Sequence, residues 1–135
     1  MTEGILLDTD VVSFFLKDDT RAKKFEPFLT GKLRSLSFMS TAELYRWALT
    51  RSWGPKRIEH LERTLEDYAV LPYDRVLGWT WARVVSTCSR HGLSIAPSDA
   101  WIAATACRHD LPLLTHNMKH FRAAEELCGL RLVVP

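Results

Sequence analysis

Three acidic residues and one asparagine occupy comparable points along this 135-residue chain. Asp8 ends the apolar run Ile5-Leu6-Leu7, and Glu43 closes Ser40-Thr41-Ala42-Glu43. Asp99 follows Pro97-Ser98, and Asn117 follows Leu113-Leu114-Thr115-His116. Hard oxygen ligands of this kind, without thiolates, suit Mg²⁺ or Mn²⁺. Carboxylates brought together repel by roughly 4 kcal/mol per close pair at an effective dielectric of about 20, so a cluster needs a cation, a proton or separation. A metal held by such a group lowers the pKa of a bound water and neutralises phosphate charge, the chemistry of phosphodiester hydrolysis. Each acid also has a local use. Asp10 is well placed as a helix N-cap. Glu43 completes a capping box with Ser40. Asp99 in a first helical turn interacts favourably with the helix dipole. Singly these acids read as structural; jointly they read as a site, provided the fold brings them to one edge.

The elements that must do so alternate along the chain. Gly4 to Asp8 reads as a strand buried on both faces, and Val11 to Leu16 begins a helix. Residues 20 to 30 are helical in pattern but contain Pro27. Leu36 to Met39 is a second strand, followed by a helix after the Ser40 capping box. Gly54-Pro55 opens another helix, with proline in the first turn where it is tolerated. Ala69 to Leu71 is a third strand. Asp74 leads a long helix whose face is Leu77, Trp81, Val84, Val85 and Cys88, and Gly92 sits where a glycine cap belongs. Pro97-Ser98-Asp99 starts a helix of small residues, against which something packs closely. Leu113-Leu114 and Leu132 to Val134 are the remaining strands. This alternation predicts an α/β fold with a parallel sheet. In such a sheet, strand C-termini and the helix N-termini that follow them share one edge, where ligands bind. Asp8, Glu43, Asp99 and Asn117 all fall there.

Residues 1–135 suit a single domain with one proper core. Hydrophobic residues at 47% and charged residues at 25% describe an ordinary globular chain rather than a disordered one. No apolar run approaches the ~20 residues of a membrane span. The opening MTEGILLDTD is acidic and lacks a basic region, unlike a secretory signal, so a cytoplasmic location is expected. Cys88, Cys107 and Cys128 are far apart and form no CxxC, so they are expected to be small buried apolar residues rather than a disulfide or zinc framework. A net charge of +2 permits a nucleic-acid partner without requiring one.

In order and spacing, ILLDTDVVSFF, STAELYRWAL, APSDAWIAATA and LLTHNMKHF resemble the PIN-domain ribonucleases, and among them the VapC/FitB-type toxins of bacterial toxin–antitoxin pairs. The resemblance spans nearly the whole chain, and DAWIAATA followed by LLTHN is its most specific part. It implies a three-layer α/β/α domain with a central, mostly parallel sheet of four to five strands. It implies Mg²⁺ or Mn²⁺ and endonucleolytic cleavage of RNA, with tRNA or rRNA as substrates. Asp8, Glu43 and Asp99 match the family's first three acids as metal ligands, Glu43 directly or through water. The fourth position falls on Asn117, where many members carry Asp and others Asn. Thr9, Asp10 and Thr115 would support the ligands from behind, with Asp10 where relatives commonly carry Asn. Many relatives carry an acid in place of His120. Homodimers and a cognate antitoxin lying across the site are also implied, with no membrane partner.

Arg46, Arg51, Trp47 and His116 are candidate contacts for RNA or antitoxin, and Trp53 could join Trp47 in an apolar groove. The tryptophans read equally as core, and the arginines read more readily as a solvated helix face. His116 and His120, four apart, would make a transition-metal pair only with a third soft ligand. Two other functions compete. A haloacid-dehalogenase-type phosphatase also has an apolar strand ending in DxD, here Asp8 and Asp10, the first as nucleophile. It wants a late acidic pair, which Thr115-His116-Asn117 does not supply. A degenerate PIN domain would bind RNA or protein without cleaving.

Overall fold

Successive residues of the first strand enter two different cores. In the computed structural model, which describes residues 3–135, β1 (Gly4–Leu7) is central in a five-stranded sheet. Ile5 and Leu7 pack into one hydrophobic cluster and Leu6 into the other, as the two-residue side-chain period requires. β4 (Leu113–Leu114) divides in the same way, one leucine to each side. The other strands are β2 (Leu33–Ser37), β3 (Ala69–Leu71) and β5 (Leu132–Val133). Their order is β3-β2-β1-β4-β5, and every pairing is parallel.

Helices cover both faces. On one side are α1 (Thr9–Leu16), a 3₁₀ helix (Thr20–Lys24), the single turn α2 (Glu26–Leu29), α3 (Phe38–Thr50) and α4 (Pro55–Leu65). Their Val11, Phe14, Phe25, Leu44 and Leu61 fill the core with Ile5 and Leu7. On the other side are α5 (Arg75–Arg90), α6 (Pro97–His109) and α7 (Met118–Cys128). Leu77, Ile102 and Phe121 there meet Leu6. The parallel sheet expected from the alternation and the three-layer α/β/α architecture implied by the resemblance are therefore both observed, with five strands. The small residues of α6 (Ala100, Ala103, Ala104 and Ala106) are all buried, which lets α5 lie close along it. Gly92 ends α5 with φ +71°, as expected of a glycine cap.

Several boundaries differ from expectation. β2 starts and ends earlier, so Phe38 and Met39 belong to α3. Helix α7 was not legible as a separate element. Its apolar positions, Phe121 and Ala124, are few, and the strand end before it reads as a site. The three cysteines come together on α5, α6 and α7. Cys88 is buried, while Cys107 and Cys128 are only partly so. Burial, with its two neighbouring sulfurs, pushes the Cys128 thiol up to about 11, so this group is protonated and inert rather than a thiolate site.

Candidate active site

Asp8 caps the helix that follows it. The strand passes into α1 with no intervening loop, so Asp8 (φ −65°, ψ 151°) is the N-cap and its Oδ1 accepts from Thr9 N at 2.8 Å. Capping was expected of Asp10; that residue instead lies in the first turn. The other Asp8 oxygen accepts from the Thr115 hydroxyl at 2.9 Å. Thr115 Oγ1 also accepts from Asn117 N at 2.9 Å. The Asn117 amide in turn donates from Nδ2 to Asp10 Oδ2. The end of β4 is thus laced to the end of β1 by side chains, beyond the ladder bond Asp8 N to Leu114 O at 2.9 Å.

The capping box at Ser40 does not form, because α3 begins three residues before Thr41. Ser37 is the cap and accepts from Met39 N at 3.1 Å. Ser40 and Glu43 therefore sit inside the helix, and both turn to Thr9. The Thr9 hydroxyl lies 2.8 Å from Ser40 Oγ and 2.8 Å from Glu43 Oε1. Thr9 has one proton and the carboxylate has none, so Thr9 donates to Glu43 and Ser40 donates to Thr9. Asp99 lies in the first turn of α6, as expected, and His120 of α7 approaches it, Nδ1 to Oδ2 at 3.6 Å.

Asp8 is buried, and burial is the main cause that lifts its carboxyl to about 7; Asp10 and Asp99 push the same way, against the Thr115 and Thr9 hydrogen bonds. Burial likewise raises Glu43, with help from Asp99 and Asp10 and opposition from Thr9 and Arg46. Asp99 is raised by burial and Asp10, and lowered by His120. All three acids are thus shifted upward, and acids from distant segments act on one another. Among the described residues, no three His, Cys, Asp or Glu side chains stand close enough to form a ready-made metal cage. The convergence is electrostatic rather than direct contact. As a donor set it still fits a hard divalent cation: partly buried carboxylates that repel one another, flanked by amide and hydroxyl oxygens.

The other expected contacts divide. Arg46 is exposed and acts on Glu43 through space. Trp47 and Trp53 pack on the core, and each is covered by an arginine, Arg51 at 5.0 Å and Arg57 at 5.5 Å from the ring centres. Arg51, Trp53 and Arg57 line a hollow of about 550 Å³ with Leu16, Lys17 and His60; neither Trp47 nor any of the acids lines it. His116 and His120 do not converge as a metal pair, since His120 faces Asp99 and His116 faces Lys24. Lys24 carried no sequence signal, because its partner His116 lies 92 residues away, and Ser40 reads as a cap because Thr9 lies 31 residues away.

The sequence profile described as PIN domain matches residues 5–127. Among curated proteins, the chain is 32% identical over 129 residues to Toxin FitB of Neisseria gonorrhoeae, covering 90% of this chain and 93% of that protein. It is 26% identical over 124 residues to Ribonuclease VapC1 of Haemophilus influenzae, covering 90% and 92%. Among solved structures, FitAcB from Neisseria gonorrhoeae superposes with TM-score 0.76 at 29% identity, covering 95% of each chain.

Proposed function

The chain belongs to the PIN-domain family, and we propose that it is a metal-dependent endoribonuclease, the toxin of a toxin–antitoxin pair. Membership replaces the phosphatase alternative. One observation carries the reading. Asp8, Glu43 and Asp99 come from three separate segments, and each is pushed upward first by burial and further by another acid nearby. The two relatives are by name a toxin and a ribonuclease.

In this reading Asp8 and Asp99 hold Mg²⁺ or Mn²⁺, and Glu43 does so directly or through water. Asn117 contributes a neutral amide. The chemistry supplied by such a cation when bound is a water of lowered pKa and neutralised phosphate charge. The chain's own residues orient the ligands. Thr115 and the Thr9 N–H fix both oxygens of Asp8. The Thr9 hydroxyl fixes Glu43, and Asn117 restrains Asp10. The substrate is RNA, with structured tRNA or rRNA as the class.

A cognate antitoxin and a second copy of the chain complete the set of partners. The hollow beside Arg51, Trp53 and Arg57 suits an apolar and acidic antitoxin segment. Tyr73, Val76 and Trp79, all more than half exposed at the start of α5 and just before it, suit a self-association face. Among the described residues no helix is long and apolar enough to cross a membrane.

The test is RNA cleavage by the purified chain. Chelator stops it, and Mg²⁺ or Mn²⁺ restores it. Cleavage undiminished by chelator overturns the metal assignment. Induced expression should arrest growth, and Asp8→Asn should relieve the arrest. One observation favours the degenerate alternative: the fourth acidic position is an uncharged asparagine whose Nδ2 is engaged by Asp10. RNA binding with no cleavage under any divalent metal would support that alternative.

A further inference from the structure

Beside the carboxylates, the fold assembles a second group, of opposite charge. His116 directly precedes Asn117 at the end of β4, yet its ring turns toward the first helical layer. There it stands edge-on to Phe14 (5.2 Å, 87°) and Phe25 (6.2 Å, 70°). Both phenylalanines are buried, so the ring rests on a rigid floor. Lys24, in the last turn of the 3₁₀ helix, places Nζ 3.4 Å from His116 Nδ1 and 5.3 Å from the centre of the Phe25 ring. Arg21, one turn earlier, lies 4.2 Å over Phe14 and is close enough to Asp10 to feel its charge.

The hydrogen bonding of this group is incomplete in one direction. An ammonium can only donate, so the Lys24 contact makes Nδ1 of His116 the acceptor and leaves Nε2 as the ring's donor. Arg21 is already neutralised by Asp19 through two bonds, at 3.1 and 2.8 Å. Lys24 has no carboxylate within ion-pair distance among the described residues. An exposed, uncompensated cation and a fixed N–H donor therefore sit side by side, one residue from Asn117. Phosphate oxygens satisfy both. A nucleobase does not suit the site, because the aromatic faces beneath His116 are covered and offer no stacking surface.

We propose that Lys24 and His116 form a phosphate subsite, flanked by Arg21. It grips the RNA backbone next to the scissile bond and sets the strand's register over Asp8 and Asp99. The proposal rests on the nuclease reading and deepens it. Because the contacts are to backbone, the subsite adds affinity without sequence preference.

The experiment measures binding apart from cleavage. Fluorescence anisotropy of a labelled oligouridylate and a labelled mixed-sequence RNA is followed against salt, in chelator, in an Asp99→Asn background. Lys24→Ala should weaken both RNAs several-fold and equally. It should also reduce the slope of log K against log salt by about 0.7, the share of one single-strand phosphate contact. Lys24→Arg should restore the slope. His116→Ala should weaken binding with little change of slope, and His116→Gln should recover part of the loss. Arg90→Ala, a surface cation on α5, is the control. An unchanged slope in Lys24→Ala, with the parent binding RNA, overturns the subsite and leaves the nuclease reading intact. A parent that binds no RNA overturns the subsite. Failure of the nuclease reading is separate: a wild-type chain that cuts no RNA with any divalent metal.

Discussion

Asp8 carries two duties that pull its pKa in opposite directions. Capping α1 and accepting from Thr115 favour the carboxylate, whereas burial and the nearby Asp10 and Asp99 favour the acid, and the acid wins at about 7. A carboxyl raised in the folded state stabilises the fold fully below its unfolded pKa and loses that contribution as pH rises through the folded value. The metal-free protein should therefore lose stability between about pH 4 and pH 7, as thermal melts in chelator across that range would show. A flat profile would mean that folding does not raise the Asp8 carboxyl. Mn²⁺ should reverse the loss at pH 7.5. At a hundredfold excess over Kd, mass action adds about 2.7 kcal/mol, roughly 8–10 °C for a chain of this size. Asp8→Asn should shrink that shift sharply while still folding, since asparagine caps a helix nearly as well. Thr115→Val removes the hydroxyl that holds Asp8 and keeps the shape. It should cost about 10–100-fold in Mn²⁺ affinity or cleavage, the usual loss when a ligand's supporting hydrogen bond goes. An unaltered variant would show that Thr115 supports the fold alone.

At the scale of elements, the sequence was most legible where one local signal decided the outcome. Three consecutive aliphatics marked β1, Asp74 and Gly92 bracketed α5, and Pro97 opened α6. It was least legible where a cap was ambiguous. Ser37 and Ser40 are both good caps three residues apart, and the pattern Ser-x-x-Glu favoured Ser40. The parallel ladder decided otherwise. β2 pairs with both β1 and β3 up to Ser35–Ser37, and α3 must leave the sheet at once to cover Leu7. The candidate site tolerates the shifted start, because Glu43 sits a turn deeper in the helix and has no capping role, which frees its carboxylate for Thr9. The links among Thr9, Ser40, Lys24 and His116 span 31 to 92 residues and have no local signature. Ser37 is also 3.0 Å from the Thr105 hydroxyl of α6, so it joins the two helices that carry Glu43 and Asp99. Ser37→Ala should cost about 1–2 kcal/mol in urea unfolding. Cleavage should persist in the folded fraction. A cost near zero would mean that the helix start is held by packing alone.

For the whole molecule, the question is whether two cores make two units. One core lies under α1, α3 and α4, the other under α5, α6 and α7, and only the sheet separates them. β1 contributes to both, through Ile5 and Leu7 on one face and Leu6 on the other. Neither helical layer can leave without exposing one face of a strand whose Ile5, Leu6 and Leu7 are buried. The site has the same dependence, since Glu43 comes from one layer, Asp99 from the other and Asp8 from the strand between. We therefore expect residues 1–135 to unfold as one cooperative domain. Leu6→Ala and Leu7→Ala probe the two faces separately. Each should cost about 2–5 kcal/mol, the range for deleting a buried leucine. Segment-resolved hydrogen exchange should then show α3 and α6 losing protection together in both variants, although each mutation touches one face. Loss of protection in α6 alone for Leu6→Ala, or in α3 alone for Leu7→Ala, would show two separable units joined at the sheet. In that case the carboxylates would sit across a hinge rather than on a single frame.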